Sequence, residues 1–366
     1  MSNLNKNKAY LLLEDGTFYE GLGVGVSGTT GGEICFNTGL TGYQEIYTDP
    51  SYFGQIIINT VSHVGNYGVN DQEQEADKPM FSGLICKDFS PIHSRKKSNG
   101  SLQSYFEQHK IVGIEKIDTR ALVRHIRNKG TQNCIISTES GDLDFLKEKL
   151  SQVPNMAGLE LSSVVSTTTP YFSGEENSPL KVAVLDLGIK TSILKNITER
   201  GAYCKVFPAK TSFEEMQSWG ADGYFISNGP GDPSVMPYAV ETVKKILASN
   251  KPLFGICLGN QLLGLAVGAK TYKMHNGHRG LNHPVKNLIT GKGEITSQNH
   301  GFAIEEESLK DLSNVEITHI NLNDNTIEGI RLKDRPAFSV QYHPESSPGP
   351  HDSRYLFDDF VSLMKK

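Results

Sequence analysis

No run of about 18 apolar residues occurs in this chain of 366 residues, so nothing in it reads as a membrane-crossing helix. The first residues, Met1 to Lys8, are polar and lack the apolar core of a secretory signal, which predicts a cytoplasmic protein. No excess of basic charge exists either. Lys and Arg number 36 against 41 Asp and Glu, a balance of -5, which argues against a broad nucleic-acid-binding surface. No CxxC pair occurs. The five cysteines, Cys35, Cys86, Cys134, Cys204 and Cys257, are odd in number and scattered, so neither a disulfide framework nor a zinc site is expected, and no metal is assigned. The turn Asp186-Leu187-Gly188-Ile189-Lys190 lacks P-loop spacing, and no other segment resembles an ATP site. No internal repeat is visible.

What remains is a globular composition, 37% hydrophobic and 21% charged, in a chain long enough for two domains. A polar, Pro-bearing stretch reads as a linker at 166–180, between an N-terminal domain at 1–165 and a C-terminal domain at 181–366. The first part is rich in glycine and β-formers. Asp15-Gly16 signals a hairpin, and a helix is expected between the N-cap Asp118 and Gly130, so this half reads as α+β. The C-terminal part alternates short apolar strands with helices. That pattern predicts α/β architecture: an open, mostly parallel sheet with helices on both faces, binding its ligand beyond the carboxyl ends of the strands.

The chemical motifs fall at such ends. Gly255-Ile256-Cys257-Leu258-Gly259 joins a strand to a helix in the G-x-nucleophile-x-G pattern, with cysteine in the serine position. The elbow forces strained backbone angles and close chain approach, which the flanking glycines permit. It also sets the sulfur at a helix N-terminus, where the dipole favours an anion. Four of the cysteines read as small buried apolar residues, and Cys257 is the exception. Tyr342-His343-Pro344-Glu345 supplies a base and its orienter, since Pro344 favours extended chain at His343 and residues i and i+2 then share a face. Ser227 to Pro233 is a turn-rich loop whose Gly229 and Gly231 expose backbone N–H groups. Ser297 to Phe302, read as another strand end, offers amide and backbone groups for the polar head of an amino acid. Taken singly, each motif also fits a plain structural role: a packed cysteine in a tight turn, a surface turn, a simple loop.

Together they resemble the class I glutamine amidotransferase family, which carries an elbow like this one, a GPGDP loop and a late HPE in the same order. The resemblance covers 180–366. It implies a triad of Cys257, His343 and Glu345, and glutamine contacts from Gly229, Gly231, Leu258, Gln261, Asn299, Gly301 and Phe302, with Leu258 and Gly231 giving oxyanion-hole N–H groups. The N-terminal half is similar to the small subunits of carbamoyl phosphate synthetases, through Asn37 to Glu45, Thr48 to Tyr52, His63 to Gly68, and Asp118-Thr119-Arg120 with Arg124, Ile126, Arg127 and Gly130. That similarity adds Ser51 as a glutamine contact. It implies glutamine hydrolysis, with ammonia passed to a large subunit that uses ATP, Mg and bicarbonate, for arginine and pyrimidine synthesis. The expected assembly is a heterodimer, or a higher oligomer of heterodimers, with no cofactor in this chain and no nucleic-acid or membrane partner. Two positions depart from the family pattern: Asn260, where histidine is common, and Leu281, where a small residue is usual.

Three other readings compete. The amidotransferase subunit of another synthetase, such as anthranilate synthase, lacks an N-terminal domain of this kind. A non-catalytic amidotransferase-like binding protein would not need the intact Cys257, His343 and Glu345. A cysteine peptidase would not carry the GPGDP loop.

Overall fold

Short runs of β-branched residues between glycine-bearing turns make a barrel of the first part of the chain. The computed structural model describes residues 7–365 and divides into two units, Met1–Met156 and Ala157–Lys366. In the first, seven strands close on one another. They are β1 (Lys8–Leu13), β2 (Phe18–Gly25), β3 (Thr29–Asn37), β4 (Gln55–Asn59), β5 (Gly83–Ile85), β6 (Val112–Glu115) and β7 (Asn133–Ser137), in the order β1-β2-β6-β5-β4-β3-β7. The Asp15-Gly16 hairpin is present. Gly16 takes φ 86 and donates its N–H to Leu13 O at 2.9 Å. Leu11, Leu13, Ile34, Ile56, Ile58 and Ile114 form one fully buried cluster with Leu122 and Ile126 of the helix Thr119–Lys129. Asp118 caps that helix by accepting from Ala121 N–H at 3.0 Å, and Gly130 ends it at φ 92. Arg120, Arg124 and Arg127 lie on its exposed side.

The second unit is built on one ten-stranded sheet. Its strands are β8 (Tyr171–Ser173), β9 (Leu180–Leu185), β10 (Ala202–Phe207), β11 (Gly223–Ile226), β12 (Leu253–Ile256), β13 (Thr271–Asn287), β14 (Gly293–Ile304), β15 (Val315–Asn321), β16 (Ile327–Leu332) and β17 (Ala337–Val340). They run in the order β8-β10-β9-β11-β12-β17-β16-β15-β13-β14. The five strands β10, β9, β11, β12 and β17 are parallel, as βαβ alternation demands. Alternation along β9 sends Ala183 and Leu185 to one buried cluster and Val182 and Val184 to another, so both faces of this part are covered. Ser212 caps the helix Phe213–Ser218 through Glu215 N–H at 3.2 Å.

Two expectations are corrected. The stretch 166–180 contains β8, which pairs antiparallel with β10, so it is not wholly irregular linker. Three residues among prolines and serines give too short a period to read as a strand. The sheet also continues through β16, β15, β13 and β14, all antiparallel, so the parallel part is only half of it.

Candidate active site

The elbow forms as the glycine spacing requires. Strand β12 ends at Ile256 and the helix Leu258–Ala266 begins at once, with Cys257 as its N-cap at φ 54, ψ -101. A Cβ on Gly255 would lie 2.7 Å from Gly259 O, and one on Gly259 would lie 2.3 Å from Ile226 O. Neither separation admits a side chain. Cys257 N–H donates to Val340 O of β17 at 2.9 Å, which fixes the strained residue from the neighbouring strand. The sulfur is buried and lies 3.7 Å from Asn299 O. Leu258 occupies the first helical turn, where an N–H has no intrahelical acceptor.

His343 arrives from the chain beyond β17. Its N–H donates to Ser297 O on β14 at 2.9 Å, which ties it to the strand carrying Asn299. His343 Nδ1 and Glu345 Oε1 are 2.7 Å apart, both side chains buried. Burial opposes a charge on the imidazole, but the Glu345 carboxylate and the Cys257 sulfur outweigh it and push His343 up to about 10. His343 Nε2 meets no nitrogen or oxygen partner, which leaves Cys257 as its hydrogen-bonding neighbour. Glu345 moves the other way. Burial would raise it, yet Lys190 and His343 together hold it at about 2.

The glycine loop closes on the same place. A Cβ on Gly229 would meet Leu187 O at 2.0 Å and Leu258 Cδ2 at 3.1 Å, so this loop packs directly on the elbow. Gly231 has φ 100, a left-handed angle that suits glycine. Gln261 donates to Phe302 O at 2.8 Å and to Gln341 Oε1 at 3.1 Å, joining the helix to β14. Cys257, Leu258, Gln261, Gly229, Asn299, Phe302, His343 and Glu345 therefore converge, with Gly301 lying between two of them on β14. Ser51 belongs to the first unit, in the turn Pro50–Tyr52, where its N–H is held by Asp49 Oδ1 at 2.9 Å. Ser297 to Phe302 is mid-strand rather than a strand end, because β13 and β14 form a long ribbon with register shifts after Lys273 and Gly280.

The glutamine amidotransferase class-I family model matches residues 183–363, and the model for the carbamoyl-phosphate synthase small chain, CPSase domain, matches residues 11–136. Over 360 residues the chain is 48% identical to the carbamoyl phosphate synthase small chain of Chlorobaculum tepidum, covering 98% of each chain. The chain belongs to the carbamoyl phosphate synthase small chain family. Family proteins from Synechococcus sp. and Syntrophotalea carbinolica are 46% and 47% identical, covering 95% and 98% of those chains and 100% and 98% of this one.

Both departures from the family pattern are accommodated. Asn260 is fully buried, donates to Gln341 Oε1 at 3.2 Å and accepts from Ser339 Oγ at 2.9 Å. Leu281 is half-buried within the bulge between Gly280 and His283. The sequence reading missed Lys190. Its Nζ lies 2.9 Å from Glu345 Oε1, and both groups are buried. The available signal was position, since Lys190 closes the turn after β9, another carboxyl end of the parallel strands.

Among the described residues, His278, His300 and Glu328 form a cluster with metal-ligand chemistry, all three buried. Apart from Glu328 Oε2, which has no hydrogen-bond partner, their donor atoms are already engaged. His278 Nε2 meets Asp324 Oδ2 at 2.8 Å, and its Nδ1 meets Glu328 Oε1 at 3.3 Å. His300 Nδ1 meets Phe302 O at 2.8 Å, and Asn321 donates to Glu328 at 3.0 Å. Burial works against charge on His278, but the two carboxylates push it up to about 9. The cluster is an imidazolium held between acids, under the strand that carries Asn299.

Proposed function

We propose that this chain is the glutamine-hydrolysing subunit of a carbamoyl phosphate synthase, with Cys257, His343 and Glu345 as its triad. One observation carries the reading: a cysteine in a left-handed, glycine-flanked elbow, facing an imidazole whose far nitrogen is 2.7 Å from a buried carboxylate. The Cys257 sulfur attacks the side-chain amide carbon of glutamine. The oxyanion that forms is met by N–H groups of Leu258 and Gly231. His343 keeps its proton at neutral pH and gives it to the departing nitrogen, releasing ammonia. It then takes a proton from the water that cleaves the glutamyl thioester, and Glu345 stabilises the imidazolium at each stage. Gly229, Gln261, Asn299, Gly301 and Phe302 complete the glutamine site within the second unit.

Ammonia then passes to a large subunit, which binds ATP and Mg and makes carbamoyl phosphate from bicarbonate, in the cytoplasm, for arginine and pyrimidine synthesis. This chain needs no cofactor of its own. The decisive experiment uses the complex of the two subunits. Cys257→Ala is expected to abolish glutamine-dependent synthesis and to leave ammonia-dependent synthesis intact. Loss of both together would overturn the assignment.

A further inference from the structure

A cavity of about 590 Å³ is lined by the helix Tyr355–Met364 and by the strands β15, β16 and β17. That volume falls within the roughly 300–1,000 Å³ of small-molecule sites. Neither the triad nor any of the glutamine-site residues named above lines it. Pro336 and Ala337, at the start of β17, do line it, whereas His343 follows the end of that strand.

The walls favour one kind of occupant. Ile289, Leu332, Leu356 and Leu363 supply apolar surface. Phe338 on β17 stands opposite Arg331 on β16, which stands opposite Glu316 on β15. Opposed residues of antiparallel strands share a face, so a ring and a guanidinium lie side by side at the cavity. Phe338 is half-buried and stacks on Phe254 with centroids 4.4 Å apart and planes at 19°, which fixes the plane it offers to a flat ligand. Arg331 gives its Nε to Glu316 at 2.8 Å, and its two Nη groups have no partner among the described residues. Lys333 reaches a carbonyl, Ser313 O at 3.0 Å, rather than a carboxylate. Arg335 is committed to Asp334 at 2.8 Å. The remaining lining carboxylate, Asp359, is on the helix, so an anion belongs at the β16 side and an apolar body against the helix. His319 also lines the cavity and is 4% exposed. Its Nδ1 meets Thr318 Oγ1 at 2.9 Å, and its Nε2 has no hydrogen-bond partner. Burial pushes it down to about 4, so it is a neutral polar group with one nitrogen to spare.

We propose that this cavity is a ligand site separate from the triad, which takes a flat aromatic molecule bearing an anionic group, its ring against Phe338 and its anion on Arg331 and Lys333. The planar fork of Arg331 matches a carboxylate or phosphate, and the apolar walls hold the ring.

The test is equilibrium dialysis of the full chain against two probes of one shape, 2-naphthoate and its neutral amide, 2-naphthamide. Naphthoate is expected to saturate a single site and to bind about tenfold tighter than the amide. Ser362 lines the cavity from an exposed position on the helix, so Ser362→Trp should fill it while the Tm stays at the wild-type value. That variant should lose at least about tenfold in naphthoate affinity. Arg331→Gln should weaken naphthoate by about five- to tenfold and leave naphthamide unchanged, so that the preference collapses. A preference measured on one preparation does not depend on how much of the variant is folded. Naphthoate affinity unchanged in Ser362→Trp, or an acid-to-amide preference unchanged in Arg331→Gln, would overturn the proposal. So would a wild type that shows no saturable naphthoate binding up to about 1 mM.

Discussion

The two units solve the problem of strand edges in opposite ways, and the difference tells where chemistry can sit. The first unit closes seven strands into a barrel and packs Leu11, Ile34, Ile56 and Ile58 into one fully buried cluster. Closure removes the edges but leaves an interior occupied by side chains. The second unit keeps its sheet open and parallel through β12 and β17, so successive strands end along one margin. Cys257, Lys190 and the glycine loop at 227–233 all follow strands that end there. An open sheet accepts exposed edges, and β8 and β14 are such edges, but it gains a crevice that a filled barrel does not offer.

The sharpest way to break this contrast is to remove chemistry from one unit and packing from the other. His343→Ala should lower glutamine turnover of the complex by at least about 1,000-fold, measured as ammonia release, with ammonia-dependent synthesis kept. A residual rate within tenfold of wild type would mean that the second unit is not the glutaminase. Ile57→Ala, at a fully buried barrel position, should instead cost about 2–5 kcal/mol in a denaturant titration, with turnover per folded molecule unchanged. A large loss of turnover in the folded fraction would show that the barrel shares in the chemistry.

Smaller effects sharpen the comparison. Lys190→Met removes a cation that lowers Glu345, so Glu345 should titrate closer to its ordinary 4.5. The acid limb of kcat/KM should then move upward, with activity at pH 3.5 falling by up to about tenfold against wild type. An unmoved limb would show that Lys190 only packs there. The ion pair also sets a stability window. Glu345 is lowered from 4.5 to about 2, so its contribution is present above 4.5 and is lost as pH falls toward 2. His343 is raised from 6.5 to about 10, so its contribution is full below 6.5 and is lost as pH rises toward 10. The stability difference between wild type and His343→Gln should therefore be largest from pH 4.5 to 6.5 and shrink on either side, as read from Tm against pH. The smallest effect belongs to the barrel: Gly16→Ala meets no atom within 4 Å but must hold φ 86, so it should cost about 1 kcal/mol and nothing in activity.

Local sterics made the elbow legible. Two glycines around a cysteine, between an apolar strand and a helix, leave few other shapes, and the cap residue Asp118 and the stop at Gly130 were readable for the same reason. His343 and Glu345 were readable because only one residue separates them. What the sequence concealed is long-range. The Lys190–Glu345 pair joins positions 155 apart, and no periodicity announces it. Closure of the barrel depends on β2 pairing with β6 and β3 with β7, which are not chain neighbours. Strand β14 places Asn299 in its middle because its ribbon partner slips register, a geometry that composition does not encode.

Cys257 holds backbone angles that only glycine adopts without cost. Fold and reaction thus make incompatible demands at one position. Putting glycine there would relax the chain and silence it in a single step, so a copy of this protein freed from selection for hydrolysis has a downhill route to becoming a sturdier, inert version of itself.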